Sequence, residues 1–216
     1  LSREFLRRCD ENTYATDDVT LAFGNIADRN VPEAGATTVI FSSVTHEIYS
    51  YSNYSLAELD RAVRNAFLEL QPQGQVLVRD GVSPPPAQWR LELLDDLTRD
   101  TFERFAKEFK HGRGARFERL GPSSVRLSSH DANEFLCKKD YLKNWHIEVH
   151  EEFGAYTLEG YRQMLERAGF EPVHVKGSVN PWIASHRYKG KVALFDGGGQ
   201  PLGWPDTNAV IVGRKP

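Results

Sequence analysis

The sequence has few cysteines, no long apolar run and little net charge, and each shortage excludes a class of protein. Its two cysteines, Cys9 and Cys137, are too few for a disulfide framework or a zinc pattern, so we expect a reducing, cytoplasmic compartment. No apolar run approaches the ~20 residues of a membrane span, and no signal-peptide pattern is present. A formal net charge of −3 argues against a globally cationic nucleic-acid-binding protein.

The composition is that of a folded protein. The chain has 216 residues, of which 40% are hydrophobic and 11% aromatic, so it can bury a sizeable core. This length suits one large domain, or a core that carries an insertion.

Short β-branched runs alternate with helical patterns in the first part of the chain. Residues 37–43 (TTVIFSS) and 75–81 (QVLVRDG) each predict a buried strand. Between them, Ser55 and Glu58 form a capping box ahead of the apolar stripe of a helix over 56–70. This order predicts an α/β protein with a Rossmann-like, doubly wound and mostly parallel sheet.

The same alternation returns near the C-terminus. Thr157 is expected to cap a helix that Gly169 ends, and a strand is expected over 171–177. The last two apolar runs, 191–196 (KVALFD) and 208–215 (NAVIVGRK), are expected to form an antiparallel pair.

Two less regular elements are expected near the N-terminus. Ser2 can cap a short helix, and Val19–Phe23 has the pattern of a strand.

Residues 83–156 are more than a link from a strand to a helix requires. We expect a mainly helical insertion or lid there, with one helix from about Ala87 to Lys110 and another from about Asp131 to Leu142. Residues 1–82 would then form the first part of the core and 157–216 its C-terminal part.

Three passages resemble the class I S-adenosylmethionine-dependent methyltransferases: FGNIAD (23–28), VIFSSVTHEIYSY (39–51) and LELQPQGQVLVRDG (68–81). The third is similar to that family's helix, L-x-P-x-G turn and fifth strand, and the closing elements fit its sixth and seventh strands. The resemblance covers most of the chain outside 83–156. It implies methyl transfer, with S-adenosylmethionine as the cofactor.

One departure from the family pattern is large. The family's glycine-rich loop after the first strand, and the acidic residue that ends the second strand, have no counterpart in the sequence. The resemblance therefore implies that the fold is N-terminally truncated and that Leu1 lies inside it. Such a chain is expected to bind the cofactor poorly unless another segment completes the site.

Candidate cofactor residues follow from the resemblance and from the strand ends. Asn25 and Ile26 resemble the loop that lines the adenine, where an amide can bond the base edge and an isoleucine can pack on its face. Ser42 and Ser43 lie at the carboxyl end of a central strand, where ligands bind in open α/β sheets. An ordinary turn at 24–28 is the alternative for the first pair.

The candidate catalytic residues are His46 and Glu47. An imidazole with a pKa of about 6.5 could take a proton from the methyl acceptor. Glu47 could orient His46 or hold a cationic group of the substrate. The alternatives are that His46 caps the following turn and that Glu47 faces water.

Arg79 and Asp80 end the next strand and are expected to face the same crevice. Buried charges must be paired, so these two either pair with each other or bind the substrate. Tyr51 could line the acceptor pocket, although a packing role is the alternative.

The segment HIEVHEEFG (146–154) mixes histidines with carboxylates. On a helix His146 and His150 share a face that the carboxylates do not join, so we predict no metal site. Asn144, Trp145 and Glu148 are instead candidates for a lid that contacts substrate, with a solvated surface as the alternative.

The stretch from Arg99 to Arg126 carries eight Arg or Lys residues against four Asp or Glu. With its interleaved phenylalanines it could bind nucleic acid, or it could be a solvated helix face. A small-molecule methyl acceptor is favoured because a lid would enclose the site. The alternatives are a non-catalytic methyltransferase-like fragment or interaction module and a nucleic-acid-modifying protein. The sequence predicts no membrane partner and no particular oligomeric state.

Overall fold

The computed structural model of the protein describes residues 3–16 and 18–216. Its helices, in chain order, are α1 (Arg3–Asp10), α2 (Thr45–Tyr51), α3 (Leu56–Glu69), α4 (Asp96–Gly112), α5 (Ser129–Lys138), α6 (Trp145–Glu148), α7 (Leu158–Ala168) and α8 (Pro181–Ile183), which a π-helical turn, Ala184–Tyr188, follows. Its strands are β1 (Ala36–Ser42), β2 (Leu70–Asp80), β3 (Gln88–Leu93), β4 (Phe117–Gly121), β5 (Ser124–Ser128), β6 (Glu171–Ser178), β7 (Val192–Asp196) and β8 (Asn208–Arg214).

The first sheet has the strand order β1-β2-β8-β6. β1 and β2 are parallel, while β8 runs antiparallel to both of its neighbours, β2 and β6. Three of the four strands therefore point the same way, and the predicted Rossmann-like, mostly parallel α/β fold is confirmed. Helices α3 and α7 pack against this sheet around a first core that includes Leu59, Val78 and Ile211.

The N-cap predicted for α3 is confirmed at Ser55, whereas the Glu58 carboxylate pairs with Arg61 and does not complete the capping box. The Ser55 hydroxyl accepts a hydrogen bond from the backbone N–H of Glu58, and Leu59, Val63 and Ala66 are buried along one face. Thr157 caps α7 in the same way, and Gly169 ends it in a left-handed conformation with φ of 98°. Because Ser42 pairs with Arg79, β1 and β2 end at the same level of the sheet.

A second sheet, of order β4-β5-β3-β7, is antiparallel throughout. It covers a second core of apolar side chains from both the insertion and the C-terminal part, among them Leu91, Phe102, Phe135 and Leu194. Residues 83–156 hold helices α4, α5 and α6, together with strands β3, β4 and β5, which the sequence patterns did not predict. The division into 1–82, 83–156 and 157–216 stays a prediction.

The helix predicted from about Ala87 to Lys110 is wrong in its first part. Residues 88–93 form β3, and α4 begins only at Asp96, where the Asp95 carboxylate accepts a hydrogen bond from the N–H of Thr98 at 2.7 Å. Leu91 and Leu93 are both fully buried, which is the period of two of a strand. The second predicted helix begins slightly earlier than expected and ends at Lys138 instead of Leu142.

The predicted terminal pair is also wrong, because the two strands belong to different sheets. β7 pairs with β3 in the second sheet, whereas β8 lies between β2 and β6 in the first. The apolar pattern of each run identified a strand, but it carried no information about the strand's partner.

Two predictions near the N-terminus have different outcomes. Val19–Phe23 is not a strand, and it lies exposed, with 40% of Val19 and 56% of Phe23 accessible to solvent. The helix after Ser2 is present as α1, but Ser2 itself lies outside the described residues. Within residues 3–16 and 18–216, none of the helices combines the length and the apolar character of a membrane-spanning segment.

Candidate functional site

A cleft of about 550 Å³, called here the main cleft, opens where β1 and β2 end. Its lining brings together six of the candidate residues from the sequence: Ser43, His46, Glu47, Arg79, Asp80 and Glu148. The lining also includes Cys137 near the end of α5, Tyr141, and Arg187 and Tyr188 of the π-helical turn. Two strand ends, α2 and the insertion therefore meet at one cleft.

Asp80 fixes the start of α2. Its buried carboxylate accepts hydrogen bonds from the N–H of Thr45 at 2.7 Å, the Thr45 hydroxyl at 2.5 Å and the N–H of His46 at 3.1 Å. The N–H of Gly81 adds another at 2.8 Å. Burial acts to raise the pKa of Asp80, but the hydrogen bond from His46 and the other donors outweigh it and lower the pKa. Asp80 is therefore a carboxylate at neutral pH.

His46 lies between two carboxylates. Its Nδ1 is 2.6 Å from Asp80 Oδ1 and its Nε2 is 3.6 Å from Glu151 Oε2, while Phe153 contacts the ring edge-on. Burial acts to lower the pKa of His46, but the interactions with Asp80 and Glu151 outweigh it and raise the pKa to about 10. The imidazole is therefore protonated at neutral pH. In this state it has no lone pair, which argues against the predicted role as a base.

Glu151, which was not among the candidate site residues, completes this arrangement. It is only 6% exposed, and its Oε1 accepts a hydrogen bond from the Tyr51 hydroxyl at 2.6 Å. Burial acts to raise the pKa of Glu151, but the bonds with His46 and Tyr51 outweigh it and lower the pKa. His46, Asp80 and Glu151 thus form a buried charged triad at the base of the main cleft.

The neighbouring Glu152 attaches this segment to the rest of the protein. Its carboxylate contacts Lys110, lies 3.1 Å from His130 Nε2 and accepts a hydrogen bond from Tyr49 at 3.3 Å. Its N–H donates to the Ser50 hydroxyl at 2.8 Å. Burial acts to raise the pKa of Glu152, but His130 and Lys110 outweigh it and hold the pKa at about 2.

A buried ion pair in α5 fixes the following residues. Glu134 and Lys138 are both fully buried and in contact. The Glu134 carboxylate also accepts hydrogen bonds from the N–H groups of Phe153 at 3.0 Å and Gly154 at 2.7 Å. Glu151 is thus placed in the cleft by the contacts of the three residues that follow it.

Two further carboxylates line the main cleft, Glu47 from α2 and Glu148 from α6. Neither has a hydrogen bond or ion pair within residues 3–16 and 18–216. Burial raises the pKa of both, and the charge of Glu151 raises each further. These two side chains are available to a ligand.

One of the two predicted alternatives, an ion pair between Arg79 and Asp80, is not found. Consecutive strand residues point to opposite faces, so Asp80 points into the first core while Arg79 is exposed. Arg79 instead donates a hydrogen bond to the Ser43 hydroxyl at 2.8 Å, and Ser43 adopts a left-handed conformation with φ of 53°.

Asn25 and Ile26 lie in a second depression of about 520 Å³, called here the side cleft. Its apolar lining comes from Phe23, Val44 and Ile48, and its polar rim includes Glu47 and Tyr51. Glu47 lines both clefts, so α2 forms the wall between them. The Asn25 side-chain oxygen accepts a hydrogen bond from the N–H of Ala27, which leaves its amide nitrogen exposed.

The remaining candidates lie elsewhere. Ser42 is exposed at the end of β1 and is not part of the lining of either cleft. Trp145 is 3% exposed in the second core, and its indole N–H donates to Glu108 at 2.6 Å. Asn144 is exposed one residue before α6 and does not line the main cleft.

Two other kinds of site, a metal site and a nucleic-acid surface, depend on how acidic, histidine and basic side chains are grouped. In the described part of the chain, no group of three or more His, Cys, Asp or Glu side chains is arranged to hold a metal ion. Five of the eight basic residues between Arg99 and Arg126 form ion pairs with carboxylates: Arg99, Arg104, Lys110, Arg119 and Arg126. Much of that positive charge is therefore compensated, which argues against a polyanion-binding surface.

No protein-family model matches the sequence, and no curated protein matches it. Solved structures do. The chain is similar over its full length to an S-adenosylmethionine-dependent methyltransferase from Mesorhizobium loti, with 15% identity, a TM-score of 0.53 and 78% of that chain covered. It is also similar in structure to a protein of Listeria monocytogenes assigned as such a methyltransferase. Here the identity is 12% and the TM-score 0.51, with 78% of that chain covered.

A third structure is a complex of the Haloferax volcanii Trm112 methyltransferase activator and a methyltransferase. Here the identity is 12% and the TM-score 0.51, with all of this chain and 69% of that chain covered. At such low identities the likeness concerns the fold. The chain therefore has the fold of the class I S-adenosylmethionine-dependent methyltransferases.

Proposed function

We propose that the protein transfers a methyl group from S-adenosylmethionine to a small molecule bound in the main cleft. The observation that carries this proposal is the His46, Asp80 and Glu151 triad at the carboxyl ends of β1 and β2. Ligands bind at this edge of open α/β sheets, and the cleft of about 550 Å³ has the size of a small-molecule site. The cytoplasmic location stays a prediction.

The side cleft suits the adenine of the cofactor. Ile26, Val44 and Ile48 offer apolar surface for a flat ring, and the exposed amide nitrogen of Asn25 can donate to a ring nitrogen. When bound, the cofactor would supply an electrophilic methyl group. The lining of the side cleft accounts for the base of the cofactor only.

The residues of the main cleft would act on the acceptor. The charged His46 holds Glu151 at the cleft base through its Nε2, so we assign it a positioning role and not that of a base. Glu148 is the better candidate for a base, because it lines the cleft without a protein partner and its pKa is raised by burial.

A second candidate function has its own observation. His46, the catalytic base predicted from the sequence, is protonated between two carboxylates, which favours a non-catalytic module that keeps the fold without the activity or the cofactor. The two candidates differ in whether the side cleft binds a nucleoside.

Calorimetric titration with S-adenosylhomocysteine separates the two candidates. It is carried out on the 216-residue chain and, if the gene encodes residues before Leu1, on the longer chain as well. Binding at one site per chain, weakened by Asn25→Ala and by Ile48→Asp but not by Glu166→Gln, supports methyl transfer. The absence of binding by every form tested overturns it in favour of the non-catalytic module.

A further inference from the structure

We infer that the acceptor is a cationic amine whose ammonium group binds between Glu47 and Glu148. The inference rests on the proposed function only in calling this ligand the methyl acceptor. The binding itself is a property of the main cleft and can be tested without the cofactor.

The carboxylates of the main cleft fall into two classes. Asp80 accepts hydrogen bonds from Thr45, His46 and Gly81, and Glu151 interacts with His46 and Tyr51. These two already have partners within the protein. Glu47 and Glu148 line the same cleft, and within the described residues they have no such partners.

The two free carboxylates approach the cleft from different elements, α2 and α6, and they act on each other. The charges that influence the pKa of Glu148 are those of Glu151, Lys138, His46 and Glu47. Those that influence Glu47 include His46, Glu151 and Asp80. A ligand cation between Glu47 and Glu148 would offset both their burial and their mutual repulsion.

Two of the protein cations near the cleft are already paired with carboxylates. His46 lies between Asp80 and Glu151, and the fully buried Lys138 pairs with Glu134. Arg79 donates to the Ser43 hydroxyl.

Arg187, which also lines the main cleft, lies over two aromatic rings. Its guanidinium is 4.8 Å from the centre of the Tyr141 ring and 5.7 Å from that of Trp182. Its charge acts on the Cys137 thiol, and it forms no ion pair with Glu47 or Glu148. Among the described residues, no cation pairs with these two carboxylates, so this part of the cleft has room for the positive charge of a ligand.

The rest of the lining describes the body of the ligand. Ile147, Phe153, Ile183 and Tyr188 give the cleft apolar and aromatic walls next to the two carboxylates. An amine on an apolar or aromatic body matches both parts. Glu148 is also placed to take a proton from the ammonium group, which a nitrogen nucleophile must lose before it reacts.

Calorimetry with three matched probes tests the inference: phenethylamine, phenethyl alcohol and phenylacetate. We expect the amine to bind at least ~10-fold more tightly than the alcohol, because hydrogen bonds between an ammonium group and carboxylates are stronger than those of a neutral hydroxyl. Glu47→Gln and Glu148→Gln should each weaken the amine ~10-fold and leave the alcohol unchanged. Glu166→Gln, which removes an exposed charge from α7, should change neither.

The pH dependence supplies a second readout. The pKa values of Glu47 and Glu148 are raised, so these side chains should take up protons, as the pH is lowered, at a higher pH than an ordinary glutamate does. The affinity for the amine should fall with the loss of their charge. The inference is overturned if the alcohol or phenylacetate binds as well as the amine, if none of the probes binds, or if the Gln variants affect amine and alcohol alike. Amine binding without S-adenosylhomocysteine binding would leave the inference standing and remove methyl transfer.

Discussion

At the scale of single residues, two carboxylates from distant parts of the sequence set the charge of His46. Asp80 is the last residue of β2 and Glu151 follows α6, yet each lies against one ring nitrogen of the same imidazole. The pKa of His46 in the folded protein, about 10, is above the value of about 6.5 expected for the unfolded chain. His46 therefore stabilises the fold fully below pH ~6.5, and this contribution is lost as the pH rises through about 10.

Asp80→Asn should remove most of this effect. We expect the pKa of His46 to fall, so that its ring protons titrate at lower pH in NMR spectra. We also expect a loss of about 3–5 kcal/mol in the free energy of unfolding, because Asp80 is one partner of a buried pair. Asp28→Asn is the control, since it breaks the exposed pair with Arg61 and should cost at most about 1 kcal/mol. A histidine whose titration is the same in both variants would contradict the assignment.

Individual site residues were predictable where local position decides their place. Ser43 and His46 come shortly after β1, and Arg79 and Asp80 end β2. Because parallel strands end at one edge of a sheet, the sequence predicted that these residues lie together. Glu151 belongs to a segment whose position depends on contacts with α2 and α5, which no local pattern contains. The charge of His46 was unpredictable for the same reason, because it depends on Glu151 as well as on Asp80.

At the scale of elements, two glycines allow backbone strain to be separated from packing. Gly169 ends α7 with φ of 98°, and a Cβ there would lie 3.1 Å from the Phe67 ring. Gly190 has φ of 79°, and a Cβ there would have no atom within 4 Å.

Gly190→Ala should therefore cost only the left-handed conformation, about 1 kcal/mol. Gly169→Ala should cost clearly more, because the Phe67 ring must also move. Urea unfolding of both variants measures the difference in the free energy of unfolding. Equal losses would mean that the contact with Phe67 contributes nothing.

Elements with their own end signals were predictable, and elements defined by their partners were not. Ser55 and Thr157 mark the starts of α3 and α7, and Gly169 marks an end, so these helices follow from the sequence. The spacing of Leu91, Leu94 and Leu97 also suits the apolar stripe of a helix, so the sequence predicts a helix where β3 lies. In the folded protein Leu94 and Leu97 are 48% and 62% exposed, so only Leu91 of the three is a core residue.

At the scale of the whole molecule, the two cores are connected through the pair of Glu134 and Lys138. α5 packs in the second core, and the Glu134 carboxylate holds the N–H groups of Phe153 and Gly154. Phe153 in turn lies against Gly81 at the end of β2. A Cβ added to Gly81 would lie 2.5 Å from the carbonyl oxygen of Phe153. Loss of this connection should let the second core unfold separately.

Tryptophan fluorescence can detect such separate unfolding. Trp89, Trp145 and Trp204 belong to or pack on the second core, and Trp182 lies on α8. In the wild type we expect fluorescence and far-ultraviolet circular dichroism to change together in urea. In Glu134→Ala we expect a loss of about 3–5 kcal/mol, with the fluorescence transition at lower urea, because Lys138 is left buried without its partner.

The double variant Glu134→Gln with Lys138→Met is the control. It removes both charges and keeps an acceptor for the backbone, so most of the lost stability should return. Coincident transitions in the Ala variant would show that other contacts join the two cores.

The raised pKa of Cys137, which lines the main cleft, determines which cysteine of the chain a thiol reagent labels. Burial raises the pKa of its thiol to about 12, so almost none of it is thiolate at neutral pH, and thiolate is the form that alkylating reagents attack. Cys9, on α1, is the other sulfhydryl of the chain. A maleimide dye should therefore attach to Cys9 first and give a singly labelled protein without mutagenesis, ready for energy-transfer measurements from the indoles.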